Sequence, residues 1–133
     1  MEPERRIPIA HESDIVAARR QCREVAAPLR FSPADLAVIA TAVSEIARNI
    51  VVYARHGEIR VREVERDGRR AVEIVAEDGG PGIPDLDRAM TDGWSTSRGL
   101  GLGLPGARRL MDEFAVRTAP GEGTCITMVK WCR

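Results

Sequence analysis

Residues 44–50 of the chain are Ser44-Glu45-Ile46-Ala47-Arg48-Asn49-Ile50, and they lie within a predicted amphipathic helix. Ser32 followed by Pro33 is typical of a helix start, because serine caps the N-terminus and proline suits the first helical position. Apolar residues then recur at helical spacing on one face: Leu36, Ile39, Val43, Ile46 and Ile50. This pattern predicts a helix that runs to about Ala54 and is stopped by Gly57.

Shorter patterns on both sides of this helix predict the rest of the fold. A first helix is expected after Ser13 as its cap, and a third over residues 104–113. Asp67-Gly68 is a strong hairpin signal. The predicted strands are residues 7–10, 58–66, 69–76, 114–119 and 124–131. The order of these elements, with helices first and then hairpins that flank a helix, predicts an α+β fold. We expect a two-layer sandwich with the helices on one face of a mixed β-sheet.

Composition narrows the class of protein. The chain has 133 residues, the size of one domain, with 20 basic and 20 acidic side chains. A net charge of zero, without a basic stripe, disfavours nucleic-acid binding. No apolar run approaches the roughly 20 residues of a membrane span, and no signal peptide is visible. The three cysteines match neither a disulfide framework nor a zinc pattern. We therefore expect a single cytoplasmic domain covering residues 1–133.

Glu45 and Asn49 are the first candidate site residues. They are four residues apart on the long helix, so they lie one turn apart on one face, beside the apolar stripe. The neutral oxygen of Asn49 suits Mg²⁺, which keeps water ligands and takes few protein ligands. Glu45 could serve as a base or hold a water molecule. The alternative is a polar pair on the helix surface.

Asp78-Gly79-Gly80-Pro81-Gly82 follows a predicted strand. A carboxylate at a strand end can point into a crevice and accept a hydrogen bond from an exocyclic amine such as that of adenine. Glycines let the backbone approach a ligand closely. The alternative is a tight turn, since Gly-Pro-Gly is common in turns.

A second glycine-rich segment, Gly99-Leu100-Gly101-Leu102-Gly103-Leu104, leads directly into a helix. Alternating glycines leave backbone N–H groups free to hold phosphates, and the helix N-terminus adds its positive dipole end. It matches neither a Walker A loop nor a Rossmann fingerprint. Near the end of the chain, Gly121-Glu122-Gly123-Thr124 is either a simple hairpin turn or brings the Thr124 hydroxyl close to Asp78.

These motifs, in this order, resemble the GHKL ATPase superfamily. Its asparagine motif matches Glu45-x-x-x-Asn49, its first glycine motif Asp78-x-Gly80-x-Gly82, and its second Gly99-x-Gly101-x-Gly103. The resemblance covers roughly residues 30 to 131 and implies the Bergerat fold. Finer features are similar to the RsbT branch of serine/threonine kinases, which is related to the anti-sigma kinases: residues 44–50, 78–84 and 92–97, Leu104-Pro105-Gly106, residues 109–114 and Val129-Lys130-Trp131.

The resemblance implies an activity and partners. ATP or ADP with Mg²⁺ would be the cofactors, and the substrates would be serine or threonine residues of STAS-domain proteins in the stressosome. The kinase would then leave that complex and activate a PP2C-type phosphatase by binding its regulatory domain. No nucleic acid or membrane is expected as a partner.

The resemblance also assigns roles to residues. Asp78 would accept from the adenine amino group with support from Thr124, Asn49 would hold Mg²⁺, and Glu45 would accept or orient the proton of the substrate hydroxyl. The remaining nucleotide-binding residues implied are Gly80, Gly82, Ile83, Thr96, Ser97, Arg98, Gly99, Leu100, Gly101, Leu102 and Gly103. Arg98 either clamps the γ-phosphate or is a solvated charge, and Trp94 either packs a lid, touches a partner or belongs to the core.

Two other functions stay open. One is an anti-sigma factor of the same fold, which sequesters a sigma factor and phosphorylates an anti-anti-sigma protein. The other is a nucleotide-sensing adaptor without transfer activity, against which the presence of Glu45 argues. The segment around Trp94 and the Leu104-Pro105 helix start favour the stressosome kinase. We expect Lys130 on the solvent face of its strand and Arg66, Arg69 and Arg70 on a soluble rim.

Overall fold

A computed structural model describes residues 4–82 and 103–132 of the chain. The helical elements in these ranges are α1 (Glu12–Ala26), a 3₁₀ turn (Ala27–Leu29), α2 (Pro33–Asn49), a π-helical turn (Ile50–Ala54) and α3 (Gly103–Leu110). The strands are β1 (Arg5–Ile9), β2 (Gly57–Arg66), β3 (Arg69–Asp78), β4 (Glu113–Thr118) and β5 (Thr124–Trp131). The predicted α+β class is confirmed.

The five strands form one sheet in the order β1-β2-β3-β5-β4. Every strand pairing within the described residues is antiparallel, so the prediction of a mixed sheet was wrong in that detail. The physical reason is the place of β5. After the crossover through α3, β4 runs in the same direction as β3, but β5 folds back from β4 and fills the space between them. β3 and β4, which run in the same direction, are therefore not neighbours in the sheet.

The core lies between the sheet and the helices. Side chains alternate along a strand, and on β3 the inward set includes Val72, Ile74 and Ala76, as predicted. The apolar stripe predicted for the long helix shares one buried cluster with the sheet from Ile39 to Ile50, and Leu36 is partly buried against it. Cys22 of α1 is part of the same cluster, and burial raises the pKa of its thiol to about 12. It is a core residue, as predicted.

The start of α1 differs from the prediction. The helix begins at Glu12 with His11 as N-cap, not with Ser13. The Asp14 carboxylate accepts hydrogen bonds from the backbone N–H groups of Ala10 (2.8 Å) and His11 (2.9 Å). These donors hold the pKa of the Asp14 carboxyl below its usual value. Because Asp14 at the third helical position bonds to the backbone N–H of the N-cap His11, the helix begins at Glu12, and Ser13 lies inside its first turn.

α2 begins as predicted and ends differently. The Ser32 side chain accepts from the Asp35 backbone N–H at 3.0 Å. After Asn49 the helix continues as a π-helical turn, in which the Arg55 N–H donates to the Ile50 carbonyl at 2.8 Å. Arg55 then adopts φ 73°, so the helix is stopped at Arg55, while Gly57 is the first residue of β2.

By length and composition alone, the 22 residues from Pro33 to Ala54 would suffice to cross a membrane. In the structure the large apolar side chains from Ile39 to Ile50 belong to the buried core cluster, while Val52 and Tyr53 are exposed. The contacts of a core helix therefore account for its composition.

The prediction for Lys130 needs correction, whereas the predicted exposed rim of Arg66, Arg69 and Arg70 is confirmed. Lys130 is on the helix face of β5 and only 8% exposed. Its Nζ donates to the Leu110 carbonyl at 3.1 Å, which caps the last turn of α3. At the same end of the sheet, on the outer face, the Arg66 guanidinium pairs with Glu113 at 3.1 Å and lies over the Trp131 ring, as does that of Arg69.

Candidate functional site

The carboxylate of Glu45 lies at the junction of α2 and α3. Its side chain is only 8% exposed. Oε1 accepts a hydrogen bond from the backbone N–H of Gly103 at 2.7 Å, and Oε2 lies 3.1 Å from Nη1 of Arg48. Gly103 is the first residue of α3, so a negative charge here also meets the positive end of the helix dipole. Glu45 therefore links the helix of the asparagine motif to the last glycine of the second glycine motif.

Asn49 is the last residue of α2, one turn beyond Glu45, and is half-buried. Its carboxamide oxygen is a neutral ligand of the kind that Mg²⁺ accepts. Among residues 4–82 and 103–132, no group of three or more His, Cys, Asp or Glu side chains could hold a metal ion. A single carboxamide oxygen suits an ion that takes few protein ligands and keeps water among its ligands.

Three side chains form a row at one end of the sheet. Asp78 of β3 is in register with Thr124 of β5, and Thr124 is in register with Thr118 of β4. The two threonine Oγ1 atoms are 3.0 Å apart, and Thr118 also donates to the Gly123 carbonyl at 3.1 Å. All three residues lie on the helix face of the sheet, in line with buried Ala76 and Ile126. The structure thus places Thr124 directly beside Asp78. Of the two interpretations of residues 121–124, this agrees with the one that brings the Thr124 hydroxyl close to Asp78.

The Asp78 carboxylate is held by its own loop. Its Oδ1 accepts from the Gly80 N–H at 2.9 Å. Gly80 also lies against the π-helical turn: a Cβ at this position would be 2.6 Å from the Cβ of Ala54, closer than two side chains can approach. Only glycine therefore fits between Asp78 and the end of the long helix. Gly82 adopts φ 80° and closes the described part of this loop.

The π-helical turn connects the two groups of residues. At its end, Ala54 contacts Gly80 in the loop after β3. At its start, Ile50 follows Asn49 directly. The Ile50 side chain also packs near Gly57, the cross-strand partner of Asp78. At the edge of the sheet nearby, a cavity of about 320 Å³ is lined by Asp78, Thr118 and Thr124 and also by outer-face side chains such as Arg117. This volume lies at the lower end of the range for small-molecule pockets.

Several predicted residues lie outside the described ranges. They are Ile83, Thr96, Ser97, Arg98, Gly99, Leu100, Gly101 and Leu102, together with Trp94. Their predicted roles stay predictions. Of the second glycine motif, the structure describes Gly103 alone. It adopts φ 69° and donates its backbone N–H to Glu45.

Two contacts of the site were missed from the sequence. Arg48 pairs with Glu45, and its signal was the spacing of three residues, which brings side chains together on a helix. Thr118 bonds to Thr124, and its signal was the position of both threonines on either side of the turn over residues 119–123, where cross-strand partners are expected.

Comparisons with known proteins agree with this geometry. A family model described as the histidine kinase-like ATPase domain matches residues 9–130. The serine/threonine-protein kinase RsbT of Bacillus subtilis is 54% identical over 125 residues, which cover 94% of each chain. An anti-sigma F factor of Caldanaerobacter subterraneus subsp. tengcongensis is 32% identical over 120 residues, covering 86% of this chain and 82% of that one.

Two solved structures share the fold at low sequence identity. The crystal structure of the RsbU and RsbW domains of a Mycobacterium tuberculosis protein has a TM-score of 0.66 and 21% identity, and the match covers 99% of this chain and 33% of that chain. The SiaB–SiaC complex of Pseudomonas aeruginosa has a TM-score of 0.56 and 16% identity, covering 97% and 89%. The family match over most of the chain and the close relative decide the assignment: the chain belongs to the histidine kinase-like ATPase family and is an RsbT-like serine/threonine-protein kinase.

Proposed function

We propose that the chain transfers the γ-phosphate of ATP to a serine or threonine hydroxyl of a STAS-domain protein. The observation that carries the proposal is the hydrogen bond of 2.7 Å from Gly103 N–H to Glu45 Oε1. It holds a buried carboxylate at the end of the second glycine motif, one turn from Asn49. A base is thereby kept beside the segment expected to hold the phosphates.

In this proposal Glu45 removes the proton from the acceptor hydroxyl. The hydroxyl oxygen forms a bond to the γ-phosphorus, the bond from that phosphorus to the β,γ-bridging oxygen breaks, and ADP leaves. Mg²⁺, when bound, neutralises charge on the phosphates. Asn49 would supply its one protein oxygen, and the backbone N–H groups of the second glycine motif are expected to hold the phosphates. Phosphoryl transfer depends mainly on positioning and charge stabilisation, and these groups are sufficient for that task.

Asp78 is proposed to recognise adenine. Its Oδ1 is engaged by Gly80, and Oδ2 makes no hydrogen bond with the part of the chain that is described. This oxygen is therefore available to accept from the exocyclic amine of the base. The Thr124 hydroxyl lies in the adjacent register position and can support the contact directly or through water.

The proposed cellular role follows from the resemblance to the RsbT branch. The kinase would act in the cytoplasm on STAS-domain proteins of the stressosome, then bind the regulatory domain of a PP2C-type phosphatase and activate it. Identity of 54% to an RsbT kinase over nearly the whole chain supports this role over that of the anti-sigma factors, at 32%. That second identity keeps sequestration of a sigma factor as the alternative.

The test is transfer of label from γ-labelled ATP with Mg²⁺ to the STAS proteins encoded near this chain. Wild type is compared with Glu45→Gln and Asp78→Asn, and with Asp67→Asn in the distant β2–β3 turn as control. Label on a STAS serine or threonine with wild type and the control is expected. Glu45→Gln should lose about 10²–10⁴-fold in rate with ATP binding retained.

Asp78→Asn should instead weaken ATP binding by at least about tenfold, since the group opposite the exocyclic amine becomes partly a donor. Tight ATP binding without any label on a STAS protein would refute the kinase proposal, and capture of a sigma factor by the same sample would support the alternative. Stimulation of the phosphatase is measured separately with Glu45→Gln, which should still activate it, because activation by binding requires no transfer.

A further inference from the structure

Arg48 forms the closest contact to the Glu45 carboxylate from its own helix. The Nη1–Oε2 distance is 3.1 Å, and the two residues are three positions apart on α2. The Arg48 side chain is 34% exposed while that of Glu45 is 8% exposed. The guanidinium group is therefore partly exposed to solvent, while the carboxylate that it contacts is buried.

An ion pair on a helix usually does no more than add slightly to helix stability. The pair of Arg20 with Glu24 on α1 is of that kind: its atoms are 4.0 Å apart and both side chains are at least half exposed. The pair of Arg48 with Glu45 differs because one partner is buried and is bound on its other oxygen by a backbone N–H from a distant segment, 58 residues away. A contact of this type restrains the orientation of a group that solvent cannot reach freely.

The two donors together fix the carboxylate plane. Gly103 N–H holds Oε1 and Arg48 holds Oε2, so rotation about the Cγ–Cδ bond would break both bonds. Each oxygen keeps a further lone pair that can face an acceptor hydroxyl. Without Arg48, the carboxylate is held at one oxygen only and can turn about that bond.

We propose that Arg48 is a positioning residue for phosphoryl transfer, which orients the Glu45 carboxylate towards the acceptor hydroxyl. The proposal rests on the proposed role of Glu45 as the base. Transfer rates depend steeply on such orientation, and a misplacement of about 1 Å can cost roughly 10²-fold. Arg48→Gln is therefore expected to lower kcat by about 10- to 100-fold while the KM for ATP stays within about twofold of wild type.

Arg48→Lys separates charge from geometry. Lysine keeps a positive charge within reach of Oε2 but lacks the planar fork of arginine. We expect it to recover part of the lost kcat, between the values of wild type and Arg48→Gln. A residue that merely stabilised α2 would not show this order, since lysine and glutamine have similar helix propensities.

The experiment measures kcat, KM for ATP and the melting temperature for wild type, Arg48→Gln and Arg48→Lys, with Arg20→Gln as the matched control. Reduced kcat in Arg48→Gln, partial recovery in Arg48→Lys and an unchanged control support the proposal. An unchanged kcat in Arg48→Gln, or a loss explained by weaker ATP binding, overturns it.

Failure of the two proposals is distinguishable in the same assay. If Glu45→Gln retains full transfer, the proposed base is wrong and the role of Arg48 falls with it. If Glu45→Gln abolishes transfer while Arg48→Gln does not affect it, the kinase proposal stands and only the positioning role is refuted.

Discussion

The bond between Glu45 and Gly103 predicts a difference in stability between two substitutions at one position. Glu45→Gln keeps an oxygen that can accept from the Gly103 N–H, whereas Glu45→Ala removes it. Both substitutions remove the buried charge and release Arg48, which is partly exposed and can turn to water. The cost or gain of these shared changes cancels when the two variants are compared with each other.

Two terms remain in the difference. A hydrogen bond from a backbone N–H to a neutral acceptor contributes about 1 kcal/mol. The buried methylene that glutamine has and alanine lacks contributes about 0.8 kcal/mol. Glu45→Ala should therefore be less stable than Glu45→Gln by about 2 kcal/mol. With an unfolding entropy of about 2.1 cal/mol/K per residue over 133 residues, this corresponds to a melting temperature lower by about 7 °C.

The assay is thermal unfolding of both variants without nucleotide, followed by circular dichroism at equal protein concentration. Wild type is included but is not the reference, because burial of the Glu45 charge has its own cost. Equal melting temperatures for the two variants would show that the Gly103 N–H bond does not anchor α3 to α2. Glu45 would then not join the two motifs, whatever the transfer rates are.

Three further perturbations test the fold. Ser32→Ala removes the N-cap of α2 and should cost about 1 kcal/mol, or about 4 °C in melting temperature. Ser13→Ala is the control, because the Ser13 side chain does not cap a helix. An equal loss in both variants would contradict the role of Ser32 as the cap. Lys130→Met leaves the Leu110 carbonyl without its donor and should cost about 1–3 kcal/mol in urea unfolding, and a neutral result would mean that water replaces the ammonium group. The thiol of Cys22 has a pKa near 9.0 when unfolded and about 12 when folded, so above pH 9 the unfolded state loses the proton first and the free energy of unfolding falls by up to about 1.4 kcal/mol per pH unit. Urea unfolding at pH 8 to 10.5 should show this fall in wild type and not in Cys22→Ala. An identical dependence on pH in both proteins would exclude burial of the thiol.

Features set by neighbouring residues were predictable from the sequence. The start of α2 at Ser32-Pro33 was one, because capping depends on bonds within one turn. The β2–β3 turn was another: Asp67 and Gly68 adopt φ 54° and 79°, the conformation for which Asp-Gly is preferred. The placement of Thr124 beside Asp78 followed partly from the same logic, since both lie at strand ends next to glycine turns.

Features set by distant segments were not predictable. The insertion of β5 between β3 and β4 is a choice of partner, and no local pattern encodes it. The direction of Lys130 was ambiguous because β5 has apolar residues on both faces: Met128 and Val129 are both almost fully buried. The contact of Glu45 with Gly103 joins residues 58 positions apart, and only the assembled helices bring them together.

The π-helical turn after Asn49 has a consequence for insertions and deletions. A π turn closes its hydrogen bond one residue later than an α turn, so Ile50–Ala54 contains one residue more than an α-helix of the same height needs. The extra residue follows Glu45 and Asn49, so their α-helical spacing is unchanged. It precedes Ala54 and brings that residue against Gly80. Removing one residue from the exposed pair Val52 and Tyr53 should therefore yield a regular α-helix that still carries the Glu45–Asn49 face, but with Ala54 turned away from the glycine loop.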